Sequence, residues 1–180
     1  ALLSFIWDRP VRTMLDLCAA PGGKSTGLRL KYPEAHLTCI EKHPQKAEQL
    51  KSTLKSRKMQ ASVIAADARV WLKDCDKQFD LIWLDAPCSA SGTLQKHPDL
   101  TWIGEKIDLA LLCKTQEELL SAALPRLSPG GLLVYSVCSW FSQEGIDHQK
   151  TMLERYAQMQ PAMIWSPTFG GSTFQLKPLE

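Results

Sequence analysis

The sequence lacks the features that mark most specialised chain types. Its six cysteines fall at irregular spacing with no C-x-x-C pair, which argues against both a zinc site and a disulfide framework. Reduced thiols in a cytoplasmic enzyme are the expected state. The longest apolar runs, residues 79–84 and 131–137, fall well short of the roughly 20 residues a membrane-spanning helix needs. No basic, apolar, small-residue opening reads as a secretory signal. The net charge is only +2, without the basic footprint of a stand-alone nucleic-acid binder. Lys46, Lys51, Lys55 and Lys58 recur along one segment, but such a series reads as a solvated helix face. No repeat, low-complexity tract or second domain divides the chain. What remains is a 180-residue chain, 44% hydrophobic and 22% charged, able to bury one core. It is expected to be a monomer with no metal and no membrane association.

Strand and helix patterns alternate with short connections. Residues 13–17, 37–41, 62–66, 79–85 and 132–138 read as strands. Residues 24–31, 44–58, 107–124 and about 143–159 read as helices, with Pro44 suited to the first helical position. Ser128-Pro129-Gly130-Gly131 reads as a turn, and the stretch up to Thr101 as a long loop. This order implies a mostly parallel sheet covered by helices on both faces.

In such sheets ligands bind at the carboxyl edge, and several strand ends carry chemistry. Asp85-Ala86-Pro87-Cys88-Ser89 and Tyr135-Ser136-Val137-Cys138-Ser139 each put a cysteine just past a hydrophobic strand. A thiolate can add to an electron-poor ring carbon, and a nearby acid makes that ring poorer. Two thiols and one carboxylate therefore point to covalent catalysis on a pyrimidine. The turn Cys18-Ala19-Ala20-Pro21-Gly22-Gly23-Lys24 lies between the first strand and first helix. Its glycines allow close backbone approach, and the helix end offers N–H groups to an anion. It is not the G-x-G-x-x-G that seats a pyrophosphate, so one small anion such as a carboxylate suits it better. Glu41 and Asp67 end the second and third strands. The first is placed for ribose hydroxyls and the second for an adenine amino group; acids also end strands for solubility alone, but together beside this turn they favour a nucleoside cofactor.

The segments Leu15 to Lys24, Asp85 to Gly92 and Tyr135 to Ser139 together resemble the Sun/nucleolar-protein family of RNA cytosine-C5 methyltransferases. Lys96-His97-Pro98-Asp99, leading to Trp102, resembles its bacterial RsmB (Fmu) branch, which acts on small-subunit ribosomal RNA. The resemblance implies a Rossmann-like class I methyltransferase fold. It implies S-adenosyl-L-methionine bound by Cys18, Ala19, Ala20, Pro21, Gly22, Gly23, Lys24, Glu41, Asp67 and Asp85. It also implies that Cys138 is the nucleophile and that Cys88 assists release of the product. Residues 1–180 are then expected to be the catalytic domain of a longer protein, since Ala1 opens abruptly into an apolar segment. Gln175-Leu176-Lys177-Pro178 resembles the segment before the family's last strand, so that strand is expected to be truncated.

Cytosine C5 is too weak a nucleophile to take a sulfonium methyl unaided. Cys138 adding to C6 would activate it, and Asp85, at N3 or the exocyclic amine, would steady the charge on the ring. Cys88 would act as base or help elimination. An amino-group methyltransferase is the nearest alternative, but Cys88 stands where such sites carry an aromatic ring. A non-catalytic scaffold in RNA processing is a second alternative, disfavoured by the presence of both thiols and all three acids. Cys39, Cys75 and Cys113 read as small buried hydrophobes. Trp71, Trp83 and Trp140 read as packing residues rather than stacking platforms. Lys96 is a candidate phosphate contact, along with Arg69; His97 contacts RNA or caps its loop.

Overall fold

A computed structural model describes residues 10–93, 107–156, 159–165 and 172–178. Lys96, His97 and Trp102 lie outside the described residues. The elements in chain order are β1 (Thr13–Leu17), α1 (Gly23–Lys31), β2 (His36–Glu41), α2 (Pro44–Ser56), β3 (Ser62–Ala65), α3 (Ala68–Lys73), β4 (Phe79–Asp85), α4 (Leu109–Ala123), β5 (Leu127–Val137), α5 (Ile146–Arg155), β6 (Met159–Trp165) and β7 (Ser172–Pro178). One sheet has the order β3-β2-β1-β4-β5-β7-β6. The first five strands in that order pair parallel, and β7 runs antiparallel to both β5 and β6.

Side-chain alternation along each strand splits the core into two layers. Met14, Leu81, Trp83, Leu132 and Val134 face α1 and α2, where Leu28, Leu50 and Leu54 meet them. Leu15, Leu17, Ile82, Leu84, Leu133 and Tyr135 face the opposite way, onto Leu72 of α3, Leu119 and Leu120 of α4 and Met152 of α5. The central strands are buried on both faces, which is why β1, β4 and β5 read as continuous apolar runs. Asp16, Asp85 and Ser136 have the same parity as the first set, so their side chains belong to the α1 side. Parity thus delivers the polar groups of the site to one face.

Several expectations need correction. The last strand is not missing: residues 175–178 lie within β7, which inserts between β5 and β6. The final helix ends at Arg155 rather than near 159, and Met159 already begins β6. That helix also starts later than expected, because Ser142–Glu144 form a separate 3-10 turn. Helix α2 stops at Ser56: Lys58 adopts a left-handed φ of 56°, and the Met59 N–H folds back onto the Leu54 carbonyl. Ser128–Gly131 is not a turn ahead of β5 but a bulged stretch within it, where Phe79 pairs Leu127 and Leu81 pairs Leu132. No described helix is long and apolar enough to cross a membrane.

Candidate active site

Parallel pairing sets the two cysteine loops side by side. Asp85 lies opposite Ser136 at the carboxyl ends of β4 and β5. Beyond that pair, the Ala86 N–H donates to the Ser136 carbonyl (2.9 Å) and the Gly92 N–H donates to the Cys138 carbonyl (3.0 Å). The result is a Cys88 Sγ to Cys138 Sγ distance of 3.4 Å. Cys138 is exposed and Cys88 is partly covered.

The two thiols differ electrostatically. A hydrogen bond from Cys88, opposed by burial and by Asp85, holds Cys138 down at about 7, against an ordinary 9.0. The same hydrogen bond, together with burial, pushes Cys88 well above the ordinary thiol range. Of the two thiols Cys138 therefore ionises first, with Cys88 as the S–H donor to its thiolate. Asp85 completes the trio: its Oδ1 accepts from Ser136 Oγ (2.7 Å), and its Oδ2 pairs with Lys24 Nζ (2.9 Å). Ser136 in turn accepts from the buried Trp83 indole N–H (3.0 Å). The polar relay Trp83–Ser136–Asp85–Lys24 fixes the carboxylate direction.

The glycine turn lies at the end of β1, one strand over. Cys18 takes a left-handed φ of 61°, and Gly22 caps α1 with a φ of 103°. A Cβ at Gly22 would come within 2.5 Å of the buried Leu50 Cδ1, whereas one at Gly23 meets nothing within 4 Å. The first helical bond runs from Thr26 N–H to the Gly22 carbonyl, so the N–H groups of Gly23, Lys24 and Ser25 point out of the helix end. Beneath the turn Asp16 is fully buried, and burial raises its carboxyl to about 7 despite a hydrogen bond from Ser25. Its Oδ1 has no protein partner.

A cavity of about 310 Å³ continues from this turn, lined by Cys18, Ile40, Asp67, Ala68, Pro87 and Leu111, among others. Glu41 is buried and accepts from the backbone of Ala20 (3.3 Å) and His43 (2.9 Å). Asp67 caps α3 and is gripped by Arg69 through its backbone N–H and its guanidinium, with Lys42 Nζ at 3.4 Å. These hydrogen bonds hold the Asp67 carboxyl well below the usual range. The fit to a nucleoside with an amino-acid tail is good on three counts. There is an open backbone approach at Gly23, an apolar slot walled by Ile40, Ala68 and Pro87, and carboxylates at the second and third strand ends. A larger cavity of about 420 Å³ lies at the opposite edge, around Arg29, His36 and Ser62; neither Cys88 nor Cys138 lines it.

Sequence reading missed the support beneath the cysteine loops. Glu144, Gln116 and His148 are buried there and hydrogen-bonded to one another and to Ser89. Gln116 could have been found, because it occupies the core-facing position of α4 in series with Leu119, Leu120 and Ala123. Two other expectations change. Arg69 is not a free phosphate contact, since it is committed to Asp67 and Glu118. Trp140 is not a packing residue: it is 70% exposed, next to Cys138 in the same loop, whereas Trp83 is buried and Trp71 packs beside Phe79. Cys39 and Cys75 are buried as expected and Cys113 is half-buried. Among the described residues no cluster of three or more His, Cys, Asp or Glu could hold a metal ion.

The chain is similar to known proteins. Ribosomal RNA small subunit methyltransferase B of Salmonella paratyphi B is 44% identical over 143 residues, which is 79% of this chain and 33% of that protein. The orthologue from Salmonella enteritidis matches at the same identity and coverage. The chain thus spans about a third of the length of these curated relatives. Among solved structures, NSun6 from Pyrococcus horikoshii with SFG superposes with a TM-score of 0.80 at 25% identity, covering 93% of this chain and 48% of that one. A methyltransferase homologue from Pyrococcus horikoshii gives 0.79 at 21% identity, covering 95% and 63%; at that identity it attests the fold alone. The 16S rRNA methyltransferase RsmB/F family model matches residues 7–176. The chain belongs to the RsmB/F family of 16S rRNA methyltransferases.

Proposed function

We propose that this chain is the catalytic domain of an S-adenosyl-L-methionine-dependent RNA cytosine-C5 methyltransferase acting on small-subunit ribosomal RNA. The observation that carries the reading is the 3.4 Å approach of Cys88 and Cys138 at the carboxyl edge, with Asp85 fixed beside them. In the same reading the protein works in the cytoplasm as a monomer. Its cofactor is held by residues 18–24, Glu41, Asp67 and Asp85, and Lys96 and His97 contact RNA. When bound, the cofactor supplies an electrophilic methyl group on a sulfonium.

The chain's own residues then divide the work. The Cys138 thiolate adds to cytosine C6, breaking the C5–C6 π bond and moving electron density to C5. Asp85, already oriented by Ser136 and Lys24, accepts from the exocyclic amine and so holds the ring in place for the addition. The raised Cys88 thiol follows first from its hydrogen bond to Cys138. Once Cys138 is bonded to carbon, that acceptor charge is gone and Cys88 can ionise more easily. Cys88 can then take the C5 proton, the C5–H electrons restore the ring double bond, and the C6–S electrons return to Cys138. The target base has to leave its stack to reach this edge.

The test is tritium release from small-subunit ribosomal RNA carrying [5-³H]cytosine, measured with the full-length protein and methyl-labelled cofactor. Tritium release equal to methyl incorporation is expected. Methyl incorporation with tritium retained would overturn carbon methylation in favour of an amino-group reaction.

A further inference from the structure

Glu144 ends the 3-10 turn that follows the Cys138 loop, and nothing in the reaction just described uses it. It is fully buried and no ion pair reaches it among the described residues. A carboxylate in such a place is costly unless hydrogen bonds replace its lost water. Here they do. Glu144 Oε1 accepts from the Ser89 N–H (2.9 Å) and from Gln116 Nε2 (2.8 Å), and Oε2 accepts from Ser89 Oγ (2.5 Å). Burial alone would push this carboxyl up, but hydrogen bonds from Ser139, Ser89 and Gln116 outweigh it and the net shift is downward.

The carboxylate ties both cysteine loops together, directly to Ser89 and through the Ser89 hydroxyl to Ser139. Ser89 follows Cys88 directly and Ser139 follows Cys138 directly, and their hydroxyls lie 3.0 Å apart over the carboxylate. Gln116 adds a third anchor, because the same Nε2 also donates to the Pro87 carbonyl (2.8 Å), one residue before Cys88. Its Oε1 faces His148 Nε2 (2.9 Å). With its NH₂ group aimed at a carbonyl and a carboxylate, the amide orientation is fixed, so His148 is the donor in that bond. The backbone of Glu144 is tied down as well, its carbonyl accepting from the buried Tyr135 hydroxyl (2.7 Å).

We infer that Glu144, oriented by Gln116, is a positioning residue that clamps the Cys88 and Cys138 loops through Ser89 and Ser139, and so sets the separation of the two thiols. The clamp is a statement about geometry; its catalytic meaning rests on the function proposed above. It needs no charge on Glu144 as such. A glutamine there can present its carbonyl to Ser89 N–H and Gln116 and donate its NH₂ to Ser89 Oγ, whose own hydrogen then turns to the Ser139 or Ser91 hydroxyl.

The test reads thiol separation directly and needs neither RNA nor turnover. Diamide takes two protons and two electrons from the two thiols, forming the Cys88–Cys138 disulfide and the reduced hydrazine, and peptide mass mapping follows the rate. Glu144→Ala should slow this cross-link about tenfold, since misplacing paired groups by an ångström removes most of their effective concentration. Glu144→Gln should stay within about threefold of wild type, because the amide reproduces the clamp. A wild-type rate in folded Glu144→Ala would overturn the clamp, and so would a Glu144→Gln rate as slow as that of Glu144→Ala. If Glu144→Ala does not fold, Ser89→Ala serves: a cross-link at least about threefold slower is expected, and an unchanged rate refutes the inference. Should the clamp hold while tritium release fails, the fault lies with the proposed reaction and not with the positioning.

Discussion

Gly22 and Gly23 are adjacent, yet substitution by alanine should affect them in opposite ways. Gly22 sits at φ 103° with a prospective Cβ 2.5 Å from Leu50 Cδ1, and Leu50 is fully buried. An alanine there bears about 1–2 kcal/mol for the left-handed backbone and a further 1–3 or so for overpacking. Gly22→Ala should therefore lose about 2–5 kcal/mol, or roughly 4–20 °C in melting temperature for a chain of this size. Gly23 is the first residue of α1, and its Cβ would meet nothing within 4 Å. Gly23→Ala should keep the fold and gain up to about 0.5 kcal/mol from helix propensity. The space that this methyl group fills is where the cofactor's carboxylate would approach the helix end. Thermal melts with and without S-adenosylhomocysteine separate the two effects. Wild type at a thousandfold excess over Kd should gain about 4 kcal/mol from ligand. Gly23→Ala should lose at least about 1.4 kcal/mol of that gain, one decade of affinity, while its ligand-free melt stays at or above wild type. A full ligand shift in Gly23→Ala would refute the placement of the cofactor at this turn.

Two further outcomes follow from titrating groups. Cys138 is held near 7 chiefly by Cys88, so its alkylation by iodoacetamide should rise with pH and level off above about pH 8. Cys88→Ala should move that midpoint up, toward the ordinary 9.0; an unmoved midpoint would contradict the donor role of Cys88. Asp16 is raised from 3.8 to about 7 by burial, so the folded state holds its proton where the unfolded chain has lost it. Its contribution is fully present below about pH 4 and is lost as pH rises toward 7, a fall on the order of 3–4 kcal/mol. Asp16→Asn should flatten that slope in urea unfolding between about pH 4.5 and 7.5, and an unchanged slope would refute the assignment.

The sequence was most readable where local pattern and tertiary role coincide. β1 and β4 have the bounds that their apolar runs imply, because central parallel strands are buried on both faces and leave no ambiguity of period. The cysteines, the glycine turn and the strand-end acids were legible because sheet topology alone brings carboxyl ends together. The misses have distinct causes. β7 carries Gln175 and Lys177 and pairs antiparallel with two strands, so its position rests on long-range pairing rather than on a hydrophobic run. Arg69 looks like a free cation until its fold partners, Asp67 and Glu118, are known. Glu144 stands in a polar stretch, and only the meeting of α4, α5 and both loops buries it. Cys18 and Ala90 take left-handed backbones at the site that nothing in their side chains announces.

The central claim, that the paired thiols perform a covalent addition and its reversal, is tested most directly by trapping. Wild type, Cys88→Ala and Cys138→Ala proteins are incubated with small-subunit ribosomal RNA and S-adenosyl-L-methionine, then run on denaturing gels. Cys88→Ala should accumulate a protein–RNA adduct that survives denaturation, because Cys138 still adds to the ring and nothing removes the C5 proton. Cys138→Ala should give neither adduct nor methylation. An adduct with Cys138→Ala and none with Cys88→Ala would reverse the two roles, and methylation by Cys138→Ala at the wild-type rate would contradict covalent catalysis altogether.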